Sequence, residues 1–123
     1  MRGSVKSAKS NKIASYRYGK FSEKIAAVYL MLKGYRIVAR NFSSHFGEID
    51  IIAARGRSLA IIEVKARKSE VYELLTARQQ KRIINATSAF LARRPEFADS
   101  EIRFDLMAVK HFSIEHIEDC WRP

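Results

Sequence analysis

A chain of 123 residues, 47% hydrophobic and 29% charged, is long enough for one domain with its own core, and that balance excludes a wholly disordered polypeptide. Its apolar runs fall far short of a membrane span, and the opening MRGSVKSAKSNK is basic but lacks the apolar stretch of a secretory signal. A formal net charge of +10 favours a polyanionic partner such as nucleic acid, while the single cysteine, Cys120, excludes an internal disulfide framework and a cysteine zinc site and fits a reducing, cytoplasmic setting.

Residues 1–14 read as a basic disordered arm and 15–123 as a single folded domain. Tyr16, Arg17 and Tyr18 interleave aromatic rings with basic charge, a combination that can stack on and clamp a nucleic-acid strand, and Tyr18 can equally begin the core. From Tyr18 to Lys33, Phe21, Ile25, Val28, Tyr29 and Leu32 recur at three- and four-residue spacing, which predicts an amphipathic helix ended by Gly34. Tyr35 to Phe42 alternates as a strand does. The stretch GEIDIIAARGRSLAIIEVKAR, from Gly47 to Arg67, reads as two more strands joined by a two-residue turn at Gly56 and Arg57. Between Lys68 and Leu75 the pattern fits a loop or the beginning of a helix. Thr76 followed by Gln79 has the spacing of a capping box, and Ile83, Ile84, Thr87, Phe90 and Leu91 give the helix behind it an apolar face, with Pro95 past its end. Residues 102–110 and 112–118 read as two final strands. The order predicts one α/β layered domain with a mixed sheet.

Glu48, Asp50, Glu63 and Lys65 interrupt the apolar runs of the hairpin, and burying ionised side chains without partners costs several kcal/mol each. Alternation puts Glu48 with Asp50 on one face of their strand and Glu63 with Lys65 on one face of theirs. A type II′ turn at Gly56-Arg57 sets Asp50 opposite Glu63 and Glu48 opposite Lys65. Like charges so opposed are destabilising unless something lies between them, and two carboxylates with waters and phosphate oxygens suit Mg²⁺. Lys65 would reach the same place to orient or deprotonate a water or to stabilise charge on a phosphorane. The plainer alternative is two cross-strand ion pairs on a solvated face, which the neighbouring Ile52 and Ile61 and the helix cover expected of such a sheet disfavour.

An acidic residue on one strand followed by E-x-K on the next is the pattern of the PD-(D/E)xK nucleases. The segments GKFSEKIAAVYLMLKGYRIVARNF, GEIDIIA, IIEVKAR and RFDLMAV, spread from Tyr18 to Val109, closely resemble the YraN family. These small proteins are assigned the restriction-endonuclease-like fold and are distantly similar to archaeal Holliday junction resolvases. The resemblance implies an αβββαβ core whose mixed central sheet is flanked by helices. It makes Asp50 and Glu63 metal-binding carboxylates, Lys65 the catalytic lysine, the Val64 carbonyl a further metal ligand, and Glu23 the acidic residue that such nucleases often carry on the first helix. Ala26 and Ala27, three and four residues beyond Glu23, offer a small-residue face for close packing on the sheet, although an early-helix glutamate is also favoured by the helix dipole alone.

Gln79 departs from the lysine more usual in that family and suits either the site or the capping box. Asp105 reads as structural, holding a nearby arginine or backbone amide. His45, His111 and His116 lack the spacing of a helical metal pair and read as surface or core residues. The function this predicts is a Mg²⁺- or Mn²⁺-dependent endonuclease acting on DNA, including branched or damaged DNA. A homodimer would serve it, since cutting two strands usually needs two sites. The rival reading is a nucleic-acid-binding module that keeps the fold but hydrolyses little or nothing.

Overall fold

The computed structural model describes residues 19–66, 75–111 and 113–123. The arm at 1–14, the Tyr16–Tyr18 cluster and all but the last residue of the 68–75 segment lie outside the described residues. A first helix, α1, occupies 19–32. Strands β1 (Arg36–Ser44), β2 (Gly47–Arg55) and β3 (Ser58–Lys65) follow, then α2 (Ala77–Arg93), a short 3-10 turn (Pro95–Phe97), β4 (Glu101–Lys110) and β5 (Ser113–Trp121).

The strands form one sheet in the order β1-β2-β3-β4-β5, parallel between β3 and β4 and antiparallel elsewhere. This is a mixed sheet in the αβββαβ order of a restriction-endonuclease-like core, extended by β5. Side chains that alternate along the strands feed two separate cores. Ile49, Ile52, Leu59, Ile61 and Phe104 pack with Ile83, Ala86 and Phe90 of α2, while Ile51, Ala53, Ala60, Ile62, Met107 and Val109 pack with Ala26, Ala27 and Leu30 of α1. Each helix therefore covers one face.

Local signals account for the boundaries. Gly34 at φ 92 closes α1 with Gly34 N–H donating to the Met31 carbonyl and Tyr35 N–H to the Leu30 carbonyl, both at 3.0 Å, the paired bonds of a Schellman end. The Gly56-Arg57 turn has positive φ at Gly56 alone, as type II′ requires. Thr76 and Gln79 form both bonds of the predicted capping box.

The burial of α1 bears out Ala26 and Ala27 as the face packed on the sheet and shows which of the larger residues stay outside. Of the large apolar residues at three- and four-residue spacing, Ile25 and Tyr29 pack partly against the α1-side core, whereas Phe21 and Val28 are about half exposed and Leu32 is 83% exposed. The inward face is Ser22, Glu23, Ala26, Ala27 and Leu30, because small side chains let the helix lie close to the strands. The outer apolar residues, with Ile114 of β5, line a surface groove of about 420 Å³. Among the described residues no helix is long and apolar enough to cross a membrane.

Candidate functional site

The β2–β3 ladder runs from the Arg55–Ser58 pair to the Ile51–Ile62 pair and stops there. On its other side β2 pairs with β1 at Arg40–Ile51 and at Phe42–Ile49, skipping the Asn41–Asp50 position between them, where Asn41 takes a φ of 52. Asp50 is thus the position at which the β2–β3 ladder ends and the β1–β2 ladder skips one pair before running on from Phe42–Ile49 to Ser44–Gly47. Its carboxylate fills the gap: the Val64 amide donates to Asp50 Oδ2 at 2.8 Å. The expected pairing of Asp50 with Glu63 and of Glu48 with Lys65 is therefore corrected, since the strands fork one residue earlier and a side chain takes the place of the ladder.

The fork still brings the charged set together. Asp50 is held by the residue that lies between Glu63 and Lys65, while Val64 packs its side chain against the α1-side core. The N–H and C=O of a strand residue point to the same side, so the Val64 carbonyl also faces the fork. Burial pushes the Asp50 carboxyl up to about 6 against the Val64 hydrogen bond, with repulsion from Glu23 and Glu48 adding to the rise and Lys65 opposing it. Burial pushes Glu63 up to about 8, helped by Asp50 and opposed by Lys65, with Glu23 and Glu48 contributing further repulsion. Among the described residues Glu23, Glu48, Asp50, Glu63 and Lys65 thus share one electrostatic neighbourhood.

Glu23 reaches it from α1. It is only 7% exposed, and Lys20 Nζ, 3.4 Å from its Oε2, also donates to Asn41 Oδ1 at 2.9 Å, tying the helix to the β1 position opposite Asp50. Glu48 is exposed. Glu63 and Glu48 line a cavity of about 150 Å³ with Gly47, Leu75, Gln79, Arg82 and Ile83. Gln79 makes the expected capping bond, its Oε1 accepting from Thr76 N–H at 2.9 Å, and the residue also lines this cavity. Arg82 was not singled out by sequence, although its place one helical turn beyond Gln79 is a usable signal. Among the described residues no three His, Cys, Asp or Glu side chains are arranged to hold a metal ion by themselves.

Asp105 provides an internal comparison. It too sits at a ladder irregularity, between the Phe104–Trp121 and Leu106–Ile117 pairs, and accepts a backbone amide, that of Asp119, at 2.9 Å. Arg103 binds both its oxygens at 2.9 Å, and His116 Nε2 lies 2.8 Å from Oδ2. Burial would raise this carboxyl, but the bonds from His116, Arg103 and the Asp119 amide hold it below its ordinary value. Lys33 donates to His116 Nδ1 at 2.9 Å, and Arg103 also reaches the Tyr35 hydroxyl. Asp105 is the structural carboxylate the sequence suggested, and His116, its side chain 1% exposed, belongs to the core, while His45 and His111 lie at the surface. Among the described residues the same backbone device thus appears twice, at Asp105 with Arg103 bound to both oxygens and at Asp50 with Lys65 as the cation that opposes its rise.

Residues 22–109 match the model of a family described as uncharacterised protein family UPF0102. Relatives include a UPF0102 protein of Parvibaculum lavamentivorans, 45% identical over 114 residues, covering 90% of this chain and 86% of the relative. Another, from Rhodopseudomonas palustris strain BisA53, is 49% identical over 100 residues, covering 80% of this chain and 77% of its own. A third, from Paramagnetospirillum magneticum, is 44% identical over 116 residues, covering 89% and 90% respectively.

Proposed function

This chain belongs to protein family UPF0102, and we propose that it is a Mg²⁺- or Mn²⁺-dependent endonuclease of the PD-(D/E)xK type, hydrolysing phosphodiester bonds of DNA, branched or damaged DNA included. The observation that carries this reading is the Asp50 carboxylate, fixed by the Val64 amide between Glu63 and Lys65 at a fork in the sheet. Asp105, in the same backbone setting, is compensated by Arg103 and lowered, whereas Asp50 and Glu63 are raised, as expected of carboxylates awaiting a cation.

The donor set fits that cation. Asp50, Glu63 and the Val64 carbonyl are all oxygen donors, and an incomplete protein shell suits Mg²⁺, which keeps several waters and takes substrate phosphate oxygens. When bound there, the ion supplies Lewis-acid polarisation of a phosphoryl oxygen. Asp50 and Glu63 would hold it, with Asp50 kept in place by its hydrogen bond from Val64. Lys65 would orient the attacking water or neutralise charge developing on the phosphorane. Glu23 would add negative charge from the α1 side, and Glu48 and Gln79 border the same space. The +10 net charge would provide the phosphate contacts that bring DNA to the site.

A cleavage screen over single-stranded, duplex, flap and four-way-junction DNA with Mg²⁺ or Mn²⁺ tests the reading. Asp50→Ala and Glu63→Ala should each abolish cleavage and leave salt-sensitive DNA affinity largely intact, because phosphate contacts come mostly from lysine and arginine. Cleavage that survived both changes would exclude this site. DNA binding without cleavage by the unaltered protein would favour the binding-module reading.

A further inference from the structure

Phe46 stands on the turn between β1 and β2 with 48% of its surface exposed, whereas Phe42, four residues earlier, packs edge-on against Phe90 at 5.4 Å on the α2 side. Among the described residues the ring it meets is that of exposed His45, 5.6 Å away and at 77°. The turn that carries it is well anchored. The Ser44 hydroxyl donates to the Gly47 carbonyl at 3.0 Å and accepts from the Phe46 amide at 3.1 Å. Gly47 has a φ of 150, and a side chain there would come within 3.8 Å of Arg82 Cβ, so the turn rests close to α2. Gly47 and Arg82 line the cavity that also contains Glu63. An outward aromatic ring is therefore held one residue from the rim of the candidate site.

Arg78, Lys81 and Arg82 are all exposed and lie three and four residues apart, so they share one side of α2. Beside a row of cations that suits a phosphate backbone, an outward ring offers a platform on which a base can stack, whatever its identity. Bases within a duplex are covered on both sides by their neighbours. The platform is open only to a base that is unpaired and free to leave the stack.

We propose that Phe46 stacks on an unpaired base of the DNA strand entering the site, and that Arg82 holds a phosphate of that strand. This inference rests on the hydrolytic reading for the site it serves, and it narrows the substrate to DNA with an unpaired base near the scissile phosphate. The four residues from Phe46 to Asp50 span about 13 Å of strand. That is about four nucleotide steps, so the cut falls within about four nucleotides of the unpaired base.

The test uses the full chain and its Phe46→Ala, Phe46→Trp and Arg82→Ala variants in the presence of a chelator, so that binding is read apart from cleavage. The probes are a fully paired duplex and the same duplex carrying one unpaired 2-aminopurine, whose fluorescence is quenched on stacking. The unaltered protein and Phe46→Trp should quench the probe and prefer the unpaired-base DNA. Phe46→Ala should lose the quenching and about tenfold in affinity for that DNA while binding the duplex as before. Arg82→Ala should weaken both complexes alike and reduce the slope of log K on log salt by about 0.9. Unchanged quenching with Phe46→Ala, or an equal loss on both DNAs, would overturn the proposal. A protein that stacks the base but cuts no DNA with Mg²⁺ would overturn the hydrolytic reading instead, and one that cuts without Phe46-dependent stacking would overturn this inference alone.

Discussion

Asp50 and Val64 are joined across neighbouring strands by a side chain in place of the sheet ladder, with the Val64 amide 2.8 Å from Asp50 Oδ2. One carboxylate thereby ends the β2–β3 pairing and faces the backbone between Glu63 and Lys65. Such an arrangement makes separate demands on charge and on shape, which substitution can distinguish.

Asp50→Asn keeps an oxygen for the Val64 amide but removes the charge that repels Glu63. The metal-free protein should become more stable, by about 1 kcal/mol or about 4 °C in Tm if that repulsion is the main effect. Stabilisation by Mg²⁺, expected in the unaltered protein because only the folded state offers the site, should be lost. Thermal unfolding with and without Mg²⁺ measures both effects.

The raised carboxyls also set a pH dependence. Glu63 goes from 4.5 in the unfolded chain to about 8 in the fold, and Asp50 from 3.8 to about 6, so between those values the folded state binds more protons than the unfolded one. Their contribution favours the fold below about pH 4 and is lost as the pH rises through 6 and then 8. The Tm of metal-free protein should fall over that interval. Glu63→Gln should flatten the upper part of the fall, and a melting series in chelator across pH 4–9 checks this.

Asp105 is 1% exposed and holds Arg103, His116 and the Asp119 amide. Asp105→Ala leaves that arginine and imidazole without their acceptor, a loss of about 3–5 kcal/mol. Tm should drop by about 10 °C or more. The same substitution should leave the Mg²⁺-dependent increment in Tm in place, because these residues are not part of the fork.

Gln79→Glu tests whether Gln79 does more than cap α2. A glutamate completes the capping box as well as a glutamine does, so the unfolding temperature should stay near that of the unaltered protein. The added negative charge in the cavity shared with Glu48 and Glu63 should nevertheless lower cleavage of DNA at a fixed Mg²⁺ concentration. Thr76→Ala provides the contrast, costing about 1 kcal/mol of stability through the cap.

Where chemistry is local, the sequence was readable. Gly56-Arg57 set the hairpin register, Thr76 and Gln79 set the start of α2, and Asp105 reads as holding a nearby arginine or backbone amide, which the fold supplies as Arg103 and the Asp119 amide. The fork was not readable, because strand alternation continues a ladder past Asp50 and gives no sign that a side chain will replace it. The inward face of α1 is legible in part: Ala26 and Ala27 read as a close-packing face and are buried as one, while hydrophobic spacing identifies the helix without telling which of its large residues stay outside. Phe46 carries no such signal, since a lone aromatic in a turn gains meaning only when the fold sets it beside Gly47 and Arg82, the latter marked in sequence only by its place one turn beyond Gln79.

The parallel neighbours β3 and β4 bear on how the chain reaches this structure. Ser58 lies beside Glu101, and the chain between the two strands passes through α2, so their pairing waits on closure of a long loop. Asp50, Glu63 and Lys65, by contrast, ride on a hairpin closed by two residues, and hairpins form in about 1–10 μs, far sooner than distant strands meet. The frame of the candidate site can therefore assemble before the sheet that surrounds it. Docking of β4 is then the slow event in folding, and Met107→Ala, which weakens that contact from the α1-side core, is expected to slow refolding in a stopped-flow measurement.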